Sequence, residues 1–378
     1  MQTVVLTGAD RALGRRVAKL LGDDPAVGRI IRLGAADLSA PPDLAGEQGE
    51  LKRVIDGADV LVHLHDDPAD TRAVLDAAGA TGVEHVVLLS SATVYGARAG
   101  NPMPLTEEAP LQPCTDLPHA VEAAERERLT ADFQAAHPGV TVSVLRTAVP
   151  VAEDDDSWLA RALHALDGLG SGGDAGPVQF VHLDDLAAAA DLARRRRLDG
   201  PYNVAPDGWL DRDARQALAG MPRIRLPDRV ANRFAAWRFR LGLGAPPPGL
   251  PPYARHPWVV ANGLLRAEGW EPRHTNEEAY VAGHRPAPWA TISPRRRQEL
   301  ALGAVAIGGL GLLIGLVLVV RRIRRRCATA RTLPSHADWW VLCRPFRRRG
   351  THRFQSGRLV GAVPTVPTAC HPPVSVTP

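Results

Sequence analysis

The chain has 378 residues, a hydrophobic fraction of 45% and a formal net charge of +4. This length allows one large α/β domain or two smaller ones. The charge is divided unevenly, because residues 1–294 carry 30 basic and 39 acidic residues, whereas residues 321–378 carry 12 arginines and one aspartate. An acidic body argues against nucleic acid as its main ligand. The four cysteines have the spacing of neither a disulfide framework nor a metal site.

The first element is a short apolar run, Val4-Val5-Leu6-Thr7, which Gly8 follows directly. Apolar residues then recur at helical spacing. The pattern predicts a strand, a glycine turn and a helix, which is how dinucleotide-binding folds begin. In such folds the first glycine allows the tight turn, and the helix N-terminus faces a pyrophosphate. Gly14 would let the helix pack closely on the strand.

The glycine pattern is incomplete. The middle glycine is replaced by Arg11 in one register and by Ala12 in the other. A side chain at this position should weaken or reshape the contact between backbone and phosphate.

The preference for NAD or NADP stays open at this stage. After a second predicted strand at 29–33, the nearest acid is Asp37, slightly later than the acid that would bind the ribose of NAD. Arg11, Arg15 and Arg16 could instead contact the extra phosphate of NADP.

The following segments alternate between strand-like and helix-like patterns. We predict strands at 59–64, 84–91 and 141–145, and helices at 68–81 and 119–136. This alternation predicts an α/β fold with a Rossmann-type, doubly wound parallel sheet. A small C-terminal substrate lobe is expected within about 150–285.

Seven segments carry a resemblance to a known family: TGADRALG (7–14), GADVLVHL (57–64), TRAVLDAAGATGVEHVVLLSSATVYG (71–96), LTEEAPLQP (105–113), VSVLRTA (142–148), QFVHLDDLAAA (179–189) and YNVAPDGWL (202–210). Over residues 1–285 the chain resembles the extended short-chain dehydrogenases/reductases, in particular the NAD-dependent epimerase/dehydratase group acting on nucleotide sugars. The members that it resembles are actinobacterial-like, and its arginine-rich, lysine-poor composition indicates a GC-rich genome. The resemblance implies an NAD(P)-binding domain. It implies these cofactor-binding residues: Thr7, Gly8, Arg11, Leu13, Gly14, Asp37, Leu64, His65 and Ser90.

The catalytic positions of the family are altered. The resemblance implies a Ser or Thr, a Tyr and a Lys, in which the Tyr acts as general base. Ser91 matches the first, but His119 stands at the Tyr position and Ala123 at the Lys position. We therefore expect a dinucleotide-binding protein with weak, altered or absent oxidoreductase or epimerase activity. One alternative is a non-catalytic nucleotide-sensing or scaffold protein; another is an active enzyme that uses Ser91 and His119, since an imidazole titrates near neutrality.

Two further polar clusters have simpler interpretations. His63, His65 and the aspartates after them resemble metal ligands, but no spacing elsewhere completes a site, so no metal is predicted. Asp184-Asp185 is predicted to cap a helix.

A membrane segment is predicted near the C-terminus. Leu300–Val320 is uncharged and long enough to cross a bilayer as a helix. It follows a basic linker at 286–299 and precedes an arginine- and proline-rich tail, 321–378, that reads as disordered. Gly311-x-x-x-Gly315 would support a homodimer.

Two signals disagree about orientation. The absence of an export signal predicts a single-pass protein of the cell membrane with its N-terminal domain in the cytoplasm. The five arginines that follow the span outnumber the three that precede it, which favours the opposite orientation. We expect the cytoplasmic orientation, because export of a folded cofactor domain needs a dedicated route.

Overall fold

In the computed structural model, the described residues are 1–38, 47–155, 157–167, 175–219, 249–283 and 321. Those up to 283 belong to one compact unit, Met1–Pro294. The predicted linker, the predicted span at 300–320 and all of the tail except Arg321 lie outside these ranges. Within these ranges, no helix combines the length and the apolar character needed to cross a membrane.

Six strands form the main sheet, and every neighbouring pair is parallel. Their order is β2-β1-β3-β4-β5-β8. Their bounds are β1 Gln2–Thr7, β2 Val27–Leu33, β3 Val60–His63, β4 His85–Ser91, β5 Thr141–Thr147 and β8 Gly200–Val204. A second sheet pairs β6 Val149–Val151 with β7 Phe180–His182. The Rossmann-type parallel sheet predicted from the alternation is confirmed.

Helices cover both faces of the main sheet. Side chains alternate along β1, so Val4 and Leu6 join the core that contains α1 and α7, whereas Val5 joins the core that contains α4 and α5. The sheet is therefore doubly wound. The helices are α1 Ala12–Asp23, α2 Ala35–Leu38, α3 Glu47–Ile55, α4 Pro68–Thr81, α5 Pro118–Ala136, α6 Trp158–Asp167, α7 Leu183–Arg196, α8 Arg212–Ala219, α9 Leu250–Arg255, α10 Gly263–Ala267 and α11 Asn276–Gly283.

The ends of α4 follow directly from its sequence. The Asp67 carboxylate accepts a hydrogen bond from the Ala69 amide at 2.7 Å, and proline occupies the first turn. The helix ends at Gly82, whose φ of +76° terminates it in the left-handed region.

The start of α7 corrects one prediction. The cap is His182, whose Nδ1 accepts from the Asp184 amide at 3.2 Å, so the prediction that Asp184-Asp185 caps this helix was wrong. Asp185 is buried and accepts from the amides of Arg273 and His274 at 2.9 Å. It therefore ties the segment around Arg273 to the start of α7, a contact between distant residues that local spacing does not reveal.

The strand order determines where a ligand can enter. From β1 the chain passes to β2 at one edge and then returns to β3 on the other side of β1. The loops that leave β1 and β3 consequently diverge and open a crevice at the carboxyl ends of these strands. Ligands of open α/β sheets bind in such crevices.

Candidate functional site

The glycine turn after β1 brings α1 very close to the sheet. Gly8 has φ of +68°, which a side chain would strain. A Cβ atom added to Gly14 would lie 2.0 Å from the Gly8 carbonyl oxygen. Only glycine therefore fits at position 14, and the close helix–strand approach expected from the sequence is present.

The two residues in place of the middle glycine point in different directions. Ala12 is buried and lines the crevice with its small side chain. The half-exposed Arg11 guanidinium donates to Asp66 Oδ2 at 2.7 Å, in the loop that follows β3. The replacement that is expected to disturb a phosphate contact is thus held by a carboxylate on the opposite side of the crevice.

A cavity of about 830 Å³ lies in this crevice. This volume is within the range typical of cofactor and small-molecule sites. Six of the residues predicted for the site line it: Arg11, Leu13, Leu64, Ser90, Ser91 and His119. The structure therefore brings the predicted catalytic pair, Ser91 and His119, into the same cavity as the glycine turn.

Thr7 lies below the cavity. It is fully buried, and its hydroxyl is 2.8 Å from His63 Nδ1 and accepts from the Leu64 amide at 3.1 Å. His63 also contacts the Thr71 hydroxyl through Nε2 at 2.9 Å. Burial holds the pKa of His63 down at about 3, so this ring stays neutral. These side chains fasten β1, β3 and α4 together beneath the ligand-facing loops.

Asp37 lies in α2, four residues after the end of β2, and is not among the residues that line the cavity. Its Oδ2 accepts from the Gly34 amide at 2.7 Å. The Asp10 carboxyl group is also near, since a Cβ atom on Gly34 would lie 3.4 Å from Asp10 Cγ. Two carboxylates therefore border the position at which a Rossmann-type fold holds the adenosine ribose.

His65 follows β3, and its side chain turns away from the cavity. Its Nδ1 is 2.6 Å from Asp70 Oδ2, and both side chains are buried. Burial raises the pKa of Asp70. The backbone carbonyl of His65, rather than its ring, accepts a hydrogen bond from a residue that lines the cavity, Arg126.

His119 occupies the first turn of α5 and faces the cavity. It is half buried, and its ring packs edge-on against Trp158 with a centroid distance of 5.3 Å. Desolvation lowers the pKa of His119, while Asp66 opposes this shift and Arg126 adds to it. The imidazole is therefore neutral at pH 7 and can accept a proton.

Ser91 begins the short 3-10 helix Ala92–Tyr95. Its Oγ accepts from the Thr93 amide at 3.3 Å and from the Thr93 hydroxyl at 2.9 Å. Both contacts use the oxygen as an acceptor, so the hydroxyl proton can be donated to a ligand. The neighbouring Ser90 hydroxyl instead donates to Glu127.

A buried polar network supports the floor of the cavity. Arg146 pairs with Glu127 through two nitrogens, with a shortest distance of 2.8 Å, and donates to the Tyr95 hydroxyl at 2.9 Å. The Tyr95 hydroxyl donates in turn to Asn203 at 2.8 Å. Burial raises the pKa of Tyr95, so the phenol keeps its proton. Tyr95 therefore stabilises the fold by joining Arg146 to Asn203, and its hydroxyl is not available as a general base.

Sequence reasoning missed several charged residues of the site. Arg126, Asp66, Asp154 and Glu122 all line the cavity. Arg126 is 1% exposed. A signal for it existed, because position 126 falls on the same predicted face of α5 as 119 and 123. The pairing of Asp154 with Arg16 at 2.6 Å joins residues 138 positions apart, which spacing alone does not reveal.

One group of potential metal ligands lies elsewhere in the described part of the chain, namely His182, Asp184 and His274. The His182 and His274 rings stack with a centroid distance of 4.0 Å. His182 Nδ1 is already an acceptor for the Asp184 amide, and the Asp184 carboxylate accepts from Arg16 at 2.6 Å. The arrangement is explained by helix capping and ion pairing.

The doubly wound sheet and its crevice place the protein in the Rossmann-type α/β class. The sequence matches the family model of the NAD dependent epimerase/dehydratase family over residues 4–205, and the chain belongs to this family.

Two solved structures have a similar fold over nearly their whole length. UDP-glucose 4-epimerase from Thermus thermophilus, in complex with NAD, is 17% identical with a TM-score of 0.55, covering 74% of this chain and 97% of that one. The dTDP-glucose 4,6-dehydratase DesIV from Streptomyces venezuelae is 19% identical with a TM-score of 0.53, covering 75% and 95%.

The sequence is also similar to that of a protein whose name describes a reductase rather than an epimerase or dehydratase. A 3-diazoavenalumate denitrifying reductase from a Streptomyces species is 28% identical over 301 residues, covering 71% of this chain and 92% of its own length.

Proposed function

We propose that residues 1–285 bind NAD(H) in the 830 Å³ cavity and catalyse an altered oxidoreductase reaction. In this reaction His119 takes the place of the missing Tyr, and Ser91 keeps the role of the family's Ser or Thr. The observation that carries this proposal is the position of both side chains in the cavity that also contains the glycine turn. A neutral imidazole suits a proton acceptor, and the Ser91 hydroxyl suits a donor to a substrate oxygen.

The residues of the crevice fit a dinucleotide. Gly14 has no side chain, so α1 can begin close to the glycine turn, where a pyrophosphate would bind. A buried cation, Arg126, which is 1% exposed, lines the cavity. Gly8, Ala12 and Leu13 would hold the pyrophosphate side, and Leu64 and Ser90 would border the other half. When bound, the nicotinamide supplies reversible hydride transfer.

The charges favour NAD over NADP. Asp37 of α2 and Asp10 of the turn after β1 both lie near Gly34, which follows β2, so a 2′-phosphate there would meet two carboxylates. The arginines that could have bound this phosphate are engaged elsewhere, since Arg11 pairs with Asp66 and Arg16 with Asp154 and Asp184.

The names of similar proteins support two substrate classes. Solved structures of the same fold are UDP-glucose and dTDP-glucose enzymes, which supports a nucleotide sugar. The similar Streptomyces protein is a reductase, which supports reduction of a different acceptor.

The test uses the full-length chain in detergent. Calorimetric titration with NAD⁺, NADH, NADP⁺ and NADPH should give micromolar affinity for the first pair and weaker affinity for the second. His119→Ala should keep this affinity and lose turnover. Binding with no turnover on either substrate class would favour the non-catalytic sensor. If a folded sample bound none of the four at millimolar concentration, the proposal would be wrong.

The membrane anchor is a separate proposal. We infer from the length and uncharged sequence of Leu300–Val320 that the chain is a single-pass membrane protein. We propose that its body is cytoplasmic, against the arginine distribution, because export of a folded cofactor domain needs a dedicated route. The full chain should stay in the membrane after an alkaline carbonate wash, and a chain ending at residue 285 should not.

Cysteines provide a test of orientation. In intact cells, a membrane-impermeant thiol reagent should label Cys343 and Cys370 of the tail and leave the buried Cys114 unlabelled. No labelling of the tail until the cells are opened would reverse the proposed orientation.

A further inference from the structure

The lysine of the family is missing at position 123, but a cation is present nearby on the same helix. Ala123 is fully buried and small. Arg126 is three residues further along α5, so the two residues share one helix face. Long side chains in helices lean toward the N-terminus and cover the preceding turn. The Arg126 side chain is therefore expected to extend toward the turn that contains position 123.

The guanidinium of Arg126 lies at the ends of two strands. It donates to the backbone carbonyl of Leu89, in β4, and to that of His65, after β3, at 3.4 Å. Arg126 lines the cavity, and its Nε atom has no hydrogen-bond partner among the described residues. A buried donor without a partner is uncommon and indicates a place for a ligand atom.

The charge of Arg126 is incompletely neutralised. Its ion-pair partner in the described part of the chain is Asp66, whose Oδ1 is 3.8 Å from Nη2, and Asp66 also accepts from Arg11. Glu127, the next residue, is occupied by Arg146. Burial lowers the pKa of Arg126, and Asp66 offsets part of this shift. Glu127 and Glu122 also favour its charged form, but the ion-pair distance to the nearest described carboxylate is 3.8 Å and that carboxylate is shared. A buried cation in this setting favours an anionic or hydroxyl-rich ligand.

We propose that Arg126, in place of a lysine at position 123, is the cation that binds the nicotinamide-side ribose and phosphate of the dinucleotide. This inference rests on the proposed binding of NAD(H). Arg126 is a binding and positioning residue, and it also sets the electrostatic environment of His119, which lies on the same side of the cavity.

The location of Arg126 predicts which part of the ligand it contacts. Asp37 marks the adenosine end, in α2 after β2, whereas Arg126 lies between the ends of β3 and β4. These positions are separated by two to three strand spacings, or about 12 Å. The adenosine half alone should therefore not sense Arg126.

The experiment measures the affinity of the full-length chain for NADH and for AMP in three variants. Arg126→Met should weaken NADH binding roughly tenfold or more and leave AMP binding unchanged. Arg128→Met, an exposed arginine of the same helix, is the matched control and should change neither affinity. Arg126→Met/Ala123→Lys should restore NADH affinity, because the lysine returns a cation to the same space.

The outcomes separate this inference from the one on which it rests. If the wild-type chain bound no NADH, the proposed function would fail. If the wild type bound NADH and Arg126→Met bound it equally well, only the role of Arg126 would be overturned. Equal losses for NADH and AMP, together with no rescue by the lysine, would show a structural role and would also overturn it.

Discussion

Arg11 and Asp66 join the two sides of the crevice by an ion pair of 2.7 Å. Arg11 stands at the start of α1, and Asp66 follows β3, so the pair spans the mouth through which a dinucleotide would enter. Burial acts to raise the pKa of Asp66, but Arg126 and Arg11 outweigh it, and the pKa is lowered. Asp66 is therefore an anion at neutral pH, placed where a pyrophosphate is expected.

Removal of this anion should strengthen dinucleotide binding. In Asp66→Asn, Arg11 and Arg126 lose their competing partner, so we expect a roughly three- to tenfold lower Kd for NADH, since half-exposed pairs are weak. Calorimetric titration checks this. Asp132→Asn, at an exposed position of α5, should leave Kd unchanged. Weaker binding in Asp66→Asn would show that the carboxylate helps to hold the ligand.

Two glycines of α1 should respond oppositely to alanine. Gly14→Ala places a Cβ atom 2.0 Å from the Gly8 carbonyl, and we expect a loss of about 2 kcal/mol or more in the free energy of unfolding. Gly22→Ala meets no atom within 4 Å and should gain roughly 0.5–1 kcal/mol, because alanine favours a helix. Urea unfolding of both variants measures these values. Equal effects would contradict the close approach at Gly14.

The buried histidines should make stability depend on pH. The pKa of His63 is about 3 and that of His85 about 4, both lowered mainly by burial, so the folded state stays neutral while the unfolded state takes up protons below pH 6.5. Stability should therefore fall as the pH decreases from 6.5 toward these values, by up to roughly 1.4 kcal/mol per pH unit for each ring.

Urea unfolding between pH 7 and pH 4 measures this dependence. His63→Gln should be less stable than the wild type at pH 7, because contacts to Thr7 and Thr71 are disturbed, but its stability should change less with pH. The same slope in variant and wild type would show that His63 does not titrate in this way.

Tyr95 and His119 should separate stability from catalysis. Tyr95→Phe removes the hydroxyl that joins Arg146 to Asn203, and we expect a loss of about 1–3 kcal/mol in the free energy of unfolding with an unchanged Kd for NADH. His119→Ala should alter turnover rather than folding. Thermal unfolding and titration of both variants test this. A changed Kd in Tyr95→Phe would place the phenol closer to the ligand than the network indicates.

The fold could be predicted from the sequence because its signals are local. Helical periodicity predicted a helix at 68–81, and α4 has these bounds in the structure. The strand-like run at 29–33 predicted β2 with a start two residues too late. Asp67 and Gly82 mark the ends of α4 by residue type alone. These features depend on neighbours within a few positions.

The electrostatics of the site could not be predicted in this way. Arg11 meets Asp66, and Arg16 meets Asp154, only after the sheet has formed. The lowered pKa of His119 depends on burial that includes its packing against Trp158, from a different helix. Long-range contacts of this kind determine which charges remain available for a ligand.

The adjacency of Arg126 and Glu127 limits how such a protein could regain the ordinary chemistry of its family. Arg126 lines the cavity, while Glu127 forms its ion pair with Arg146 instead. A lysine introduced at position 123 alone would meet a second positive charge in the same space. Engineering the Tyr/Lys pair into this chain therefore requires three coordinated replacements, at 119, 123 and 126. No single substitution would restore the catalytic residues of the family.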